Sequence, residues 1–352
     1  MTLIVLASTL YGSATVAASL RAGQFGPRGA RRRLLVVSNN TAIPELSTPL
    51  DRMPGFGALR GEFDAVHSWN RLIEPNHPAA WAPRAEDTVV WRSMLRQAWE
   101  LDDGPVEIVC ESLHVNPARA LTEIFADSPV HVYADGLMSY GPTREKIPPG
   151  TGSRVARLLH LDVVPGLRPL LLREYGVEPV AVPDAEFTRV LSETGAADAG
   201  ALERAVAGGD RPTAVLLGQY LSALRLITQA EETDLYERMV RAAVAAGHTS
   251  LLFKPHPSAP AHLAHTLAAT ARGLGARLTV LTAPMLAETV FERLRPELVV
   301  GCFSTALATA SSLYGIPVAR VGTDCLLYTF DAADEEDSVD IGVSRIRERS
   351  IG

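Results

Sequence analysis

The sequence predicts an α/β protein made of two doubly wound parallel-sheet halves. Short apolar runs alternate with amphipathic stretches along most of the chain, the pattern of strand–helix–strand crossovers. A segment over 192–211 rich in Ala, Gly, Asp and Glu interrupts that alternation and reads as a hinge plus a short helix, near the domain boundary. Polar residues suited to chemistry fall where predicted strands end, above all in the run Leu-Leu-Phe-Lys-Pro-His-Pro-Ser at 251–258.

In the first half, 2–7 reads as a strand, followed by the loop Ser8-Thr9-Leu10-Tyr11-Gly12. Ser13 is placed as the N-cap of a helix running through about Arg21, with Gly23 ending it. The strand–loop–helix order lacks a G-x-G-x-x-G fingerprint, so no dinucleotide site is expected there. Ser8 and Thr9 are still candidates to line a cleft, although a plain packing turn explains them as well. Arg28, Arg31, Arg32 and Arg33 read as a solvated basic loop before a strand at 34–37. The Pro- and Gly-rich stretch 47–61 reads as a loop and 63–67 as a third strand. Val90, Met94, Leu95 and Ala98 recur at helical spacing within 87–101, with Trp91 and Trp99 as packing residues. A strand at 106–110 leads to Asn116, a candidate cap for a helix over 117–126 with Pro117 at its first position. The strand at 130–133 ends in Ala134-Asp135-Gly136. A carboxylate there faces a cleft in a parallel sheet and suits a general base, while Gly136 lets a substrate approach the backbone; an ordinary Asp-Gly turn fits the same residues. An apolar stretch at 160–172 holding Pro165-Gly166 reads as strand and turn, and 178–183 as a further extended piece.

In the second half, a strand at 213–217 is followed by Gly218-Gln219-Tyr220. A strong amphipathic helix is expected over 231–246, with Leu235, Met239 and Val240 inward and Gly247 past its end. The strand at 251–253 comes next, then a helix at 261–274 closed by Gly275. A strand at 278–281, a helix at 285–294 and a strand at 298–300 follow. Ser304-Thr305 then opens a helix through Tyr314, and a last strand lies at 317–321.

The chain has 352 residues, 47% hydrophobic and 21% charged, which fits a soluble globular protein of about two domains. The net charge of −7 is uneven: 325–352 holds seven acids against three arginines, or −4, leaving −3 for 1–324. Neither value suits a nucleic-acid binder. The three cysteines, Cys110, Cys302 and Cys325, lack metal-type spacing and point to a reducing cytoplasmic setting. No apolar run approaches the ~20 residues of a transmembrane segment, and peripheral membrane association is left open.

The suspicious polar groups of the second half share one rule of position. Gly218-Gln219, Lys254-Pro255-His256-Pro257 and Ser304-Thr305 all lie at a strand's carboxyl end or in the adjoining loop. Two prolines hold His256 with little backbone freedom beside Lys254, which suits an anion such as phosphate. Ser304 and Thr305 stand at a helix N-terminus, where free N–H groups and the macrodipole attract an anion; N-capping alone explains either residue singly. Glu288, near the start of its helix, suits hydrogen bonds from ribose hydroxyls or simple stabilisation of that helix end.

Together these residues resemble the bacterial α-2,8-polysialyltransferase family of the actinobacterial type, within the sialyltransferases of GT-B fold. Asp135-Gly136 resembles the family's (Asp/Glu)-Asp-Gly motif, His256-Pro257 its His-Pro motif, and Ser304-Thr305 its Ser/Thr motif; Ala134 stands where the family's first acid often is. The resemblance implies two Rossmann-like domains facing across a cleft: an acceptor-side domain over 1–190 and a nucleotide-donor domain over 191–324. It implies an inverting, metal-independent transferase that moves a nonulosonic acid from a CMP donor to a glycan hydroxyl, as in capsule polysaccharide synthesis. Asp135 and His256 would be catalytic. Gly218, Gln219, Lys254, Pro255, Pro257, Glu288, Ser304 and Thr305 would hold the donor, with Gly136, Ser8 and Thr9 on the acceptor side. No cofactor is expected beyond the CMP-sugar as co-substrate, and no metal. The alternatives are a GT-B transferase with a CMP-Kdo or CDP-glycerol donor, and a non-catalytic nucleotide-binding module. Residues 325–342 resemble translated sequencing-adapter read-through, and 325–352 are expected to be a non-native tail, with a natural acidic tail as the alternative.

Overall fold

The computed structural model describes residues 1–41, 43–134, 136–197, 199–223, 225–256 and 261–322. The expected tail at 325–352 therefore lies outside the described residues, as do Asp135 and Pro257. The chain divides into two compact units, Met1–Ala197 and Asp198–Gly352.

The first unit holds seven strands: β1 (Thr2–Ala7), β2 (Arg32–Val37), β3 (Ala65–Ser68), β4 (Val106–Cys110), β5 (Val130–Ala134), β6 (Val155–Leu161) and β7 (Pro179–Val182). All pair in parallel, in the order β3-β2-β1-β4-β5-β6-β7. The order reverses between β1 and β4, the switch point of a doubly wound sheet. Period-2 alternation sends Ile4, Leu34, Ile108 and Val132 to one core cluster with Trp69 and Trp99. The opposite face carries the helix Leu10–Arg21, which is buried along nearly its whole length. Small residues allow that close approach: a Cβ on Gly12 would lie 2.9 Å from the Tyr133 ring. The helix Asp184–Ala196 packs on the same helix, which is why the first unit runs to Ala197, past the expected boundary at 190.

Several local expectations need correction. Thr9, not Ser13, caps the first helix: its Oγ1 accepts from the Gly12 N–H at 3.0 Å, and Ser13 Oγ donates back to the Thr9 carbonyl. Asn116 caps nothing; its Oδ1 is buried without a partner, and the helix starts at Ala118. The basic cluster is a solvated loop only at Arg28. Arg33, 1% exposed, donates to the Gly26 carbonyl, and Arg31 pairs with Glu107 at 2.7 Å. The stretch expected as loop at 47–61 contains the short helix Phe56–Arg60. On the helix Thr88–Ala98, Leu95 is buried while Val90 and Met94 remain exposed.

The second unit repeats the plan with five strands: β8 (Ala214–Leu217), β9 (Ser250–Lys254), β10 (Arg277–Val280), β11 (Leu298–Gly301) and β12 (Val318–Arg320), all parallel, in the order β10-β9-β8-β11-β12. Its switch point lies between β8 and β11. Ala214, Leu216, Leu251 and Phe253 face one core with the helices Gln229–Ala245 and Ala261–Gly273. Val215, Leu217, Leu252 and Val299 face the other, with the helices Ala287–Leu294 and Thr305–Ser312. Both sheets are thus Rossmann-like and covered on both sides, as parallel sheets require. Among the described residues, no helix is long and apolar enough to cross a membrane.

A buried titratable network sits beneath the first sheet. His131, 6% exposed, meets Glu107 Oε2 through Nε2 at 3.2 Å, and Arg157 Nε donates to its Nδ1 at 3.1 Å. That donation leaves Nδ1 as the acceptor and Nε2 as the N–H of a neutral ring. Burial, then the Arg157 charge, push the imidazole below its ordinary 6.5, against the pull of Glu107. Burial also lowers His67 and His160. The unfolded chain therefore binds more protons between the lowered value and 6.5, so stability is full above that range and is lost as pH falls through it. The urea midpoint is expected to drop between about pH 7.5 and about pH 5, and the drop to be shallower in His131→Gln.

Candidate active site

The second unit gathers its polar groups at the carboxyl edge of its sheet. β8 and β9 are in register with Leu217 opposite Lys254, so the two strands end side by side. The Gly218 N–H then donates to the Lys254 carbonyl at 2.8 Å, extending the ladder one step into the loops. Gly218 has no room for a side chain: a Cβ would lie 2.9 Å from Phe253 Cζ and 3.0 Å from Pro255 Cα. On the other side of the switch point, Gln219 Oε1 accepts a long, 3.5 Å bond from the Phe303 N–H in the loop after β11. The loops after β8, β9 and β11 therefore share one edge, the position where open α/β sheets bind ligands.

Four side chains give this edge its electrostatics. Lys254, at the end of β9, is lowered by burial, with Glu288 opposing the shift. His256 stacks on Tyr220, ring centroids 3.9 Å apart and planes at 30°. Burial first, then the Lys254 charge, push His256 down from 6.5 to about 4, against the attraction of Glu232. The imidazole is therefore neutral at neutral pH and carries one N–H. Ser304 caps the helix Thr305–Ser312, its Oγ accepting from the Ala306 N–H at 3.1 Å. Its own O–H stays a donor, beside the positive end of the helix dipole.

Glu288 departs from its expected place. It is 3% exposed, and its Oε1 accepts from Thr309 Oγ1 at 2.8 Å. Burial raises its proton affinity, opposed by the Thr309 hydrogen bond and the Lys254 charge. Its carboxyl group is therefore turned toward Thr309 within the unit, with the Lys254 charge nearby. In the first unit, Thr9 is occupied as a helix cap and Ser8 is half-buried beside it. Gly136 adopts φ 70° at the start of a 3₁₀ turn, a conformation that favours glycine. That turn is pinned: Ser139 Oγ donates to the Gly136 carbonyl, and Tyr140 OH to the Leu161 carbonyl at 3.0 Å.

Sequence reasoning missed the group that organises the second unit's edge. Glu232, 3% exposed in the first turn of Gln229–Ala245, accepts from the Leu221 N–H at 2.8 Å, from the Ser222 N–H at 3.1 Å and from Ser222 Oγ. Tyr236, one turn on, donates to Glu232 Oε1 at 3.0 Å and accepts from the Gln219 N–H. The only local signal was a pair of acids after a cap. Glu231 completes the capping box with Thr228, which leaves Glu232 facing inward.

The family model for alpha-2,8-polysialyltransferases matches residues 3–323. The chain belongs to that family. It is accordingly a glycosyltransferase of the sialyltransferase kind, with a nucleotide-sugar donor and a glycan acceptor. No curated protein matches this family member. Among solved structures it is similar to the UDP-GlcNAc 2-epimerase of Neisseria meningitidis bound to UDP-GlcNAc, with 13% identity, TM-score 0.53, and 91% of this chain and 82% of that one covered. The UDP-GlcNAc 2-epimerase of Methanocaldococcus jannaschii gives 9% identity, TM-score 0.51, and 94% and 92% covered. The GT-B domain of a Photobacterium damselae sialyltransferase gives 14% identity, TM-score 0.46, and 88% of each chain covered. The polysialyltransferase-family chain thus has the GT-B fold, two Rossmann-like domains in succession.

Packing at Gly218 can be tested by stability. Gly218→Ala drives a methyl against backbone at Pro255. It is expected to cost about 1–3 kcal/mol in denaturant unfolding.

Proposed function

We propose that this polysialyltransferase-family enzyme is inverting and metal-independent, and moves a nonulosonic acid from a CMP donor to a glycan hydroxyl. The observation that carries the reading is that Lys254 and His256 follow β9 and the Ser304-capped helix end follows β11, on the same edge of the second sheet and on either side of β8, within a chain of this family. An N–H of neutral His256, the Ser304 and Thr305 hydroxyls and the N-terminus of the helix Thr305–Ser312 are donors matched to the phosphate of CMP. Main chain at Lys254, Pro255 and Pro257, with Gly218 and Gln219, would border the nucleoside. Glu288 would act through Lys254, holding its charge beside the phosphate.

The chemistry follows from where charge develops. The bond between the anomeric carbon and the phosphate oxygen breaks, and the phosphate gains negative charge as CMP leaves. Donors aimed at that oxygen stabilise the transition state more than the ground state, which is what accelerates the step. An anion at His256 also raises the imidazole's proton affinity, so the ring can pass a proton to the departing phosphate. Asp135, matched to the family's acid by Asp135-Gly136, would take the acceptor hydroxyl's proton as that oxygen attacks. One displacement from the face opposite the phosphate inverts the anomeric centre. A monophosphate leaving group neutralised by such donors does not require a metal ion.

The competing donors are separable by experiment. CMP-sialic acid is expected to be cleaved, with activity persisting in EDTA, while CDP-glycerol neither binds nor competes; complete loss on chelation, or preference for CDP-glycerol, would reject the reading. Asp135→Asn is expected to lower kcat by roughly 10²-fold or more. An unchanged rate in that variant would point instead to a binding module.

A further inference from the structure

We propose that Tyr220 is a positioning residue for His256: its ring forms a wall that fixes the direction in which the imidazole presents its N–H to the leaving phosphate. The proposal rests on the reading of His256 as a phosphate donor and adds a residue to that site. The two rings are stacked with centroids 3.9 Å apart and planes at 30°, from loops that follow different strands. An imidazole against a flat ring loses the tumbling that a solvated histidine would keep, and a donor must point at the developing charge to act on it.

Tyr220 can do this because its own backbone is held on both sides. The Gln219 N–H is bound by Tyr236 OH, and the Leu221 and Ser222 N–H groups by the Glu232 carboxylate. Glu232 and Tyr236 belong to the buried face of Gln229–Ala245, so the wall is attached to a core helix. A surface loop alone would not hold a side chain to this geometry. The contact uses the ring face, so the phenol oxygen is dispensable and the aromatic ring is not.

Among the described residues, Lys254, Glu232 and Tyr220 itself face His256. Removing the Tyr220 ring leaves the first two in place and opens the imidazole to water. Since burial is the largest cause of its low proton affinity, the midpoint must rise toward the ordinary value. The test is an imidazole NMR titration of the full chain without nucleotide, with the His256 signal identified by its loss in His256→Asn. Tyr220→Ala is expected to raise the midpoint by about one pH unit, and Tyr220→Phe to leave it in place. In parallel, kcat with CMP-sialic acid is expected to fall about tenfold in Tyr220→Ala and to stay within about twofold in Tyr220→Phe. Tyr220 is half-buried, so its truncation spares the core. An unshifted midpoint in Tyr220→Ala, or equal losses in both variants, overturns the proposal. Because the titration needs no substrate, the two readings fail separately. A shifted midpoint in a protein that does not cleave CMP-sialic acid keeps the role of Tyr220 and removes the donor assignment; cleavage with an unshifted midpoint does the reverse.

Discussion

A parallel strand can be left only at its carboxyl end and rejoined only through a crossover. Every helix that follows a strand therefore starts at the same edge of the sheet, with its free N–H groups directed there. In the second domain this constraint gathers the candidate residues on one edge. β8, β9 and β11 are central strands whose residues fill both cores. Their ends must release Gly218–Tyr220, Lys254–His256 and Phe303–Ser304 onto one edge. The bond from the Gly218 N–H to the Lys254 carbonyl and that from the Phe303 N–H to Gln219 Oε1 are consequences of register.

A second level of order comes from buried charge. A carboxylate removed from water costs several kcal/mol unless its lone pairs are satisfied. Glu232 meets that demand with two backbone N–H groups and two hydroxyls, and in doing so turns a loop into a platform. Glu288 meets it with Thr309 and the nearby Lys254 charge. The same Lys254 charge, added to burial, keeps His256 neutral. The first domain has its counterpart in His131, Glu107 and Arg157, where one proton position is set by donation from an arginine.

How much of this was legible in the sequence follows from the range of each interaction. Apolar periodicity depends on neighbours within a few residues, so β1 was readable to its ends and each strand of the second domain was located. Glycines past helix ends at 247 and 275 were also readable, because each takes the positive φ that ends a helix there. Caps were misread where two hydroxyls competed: Thr9 and Ser13 both suit the role, and the geometry of the strand exit chose Thr9. Arg33 read as solvent-facing by its type and its basic neighbours, yet it lies inside against Gly26. Val90 and Met94 read as core by spacing, but the packed side of their helix is the one bearing Leu95.

The sequence alone determined the alternation of strands and helices, the presence of two halves, and the residue types at the strand ends. These are encoded by local pattern, and they sufficed to single out His256, Ser304 and Thr305. The tertiary structure alone decided the order of strands within each sheet, the withdrawal of Glu288 into the wall, and the partnership of Tyr220 with His256. Those depend on groups far apart in the chain, brought together because the parallel sheet must be covered on both faces and its buried polar groups must find partners.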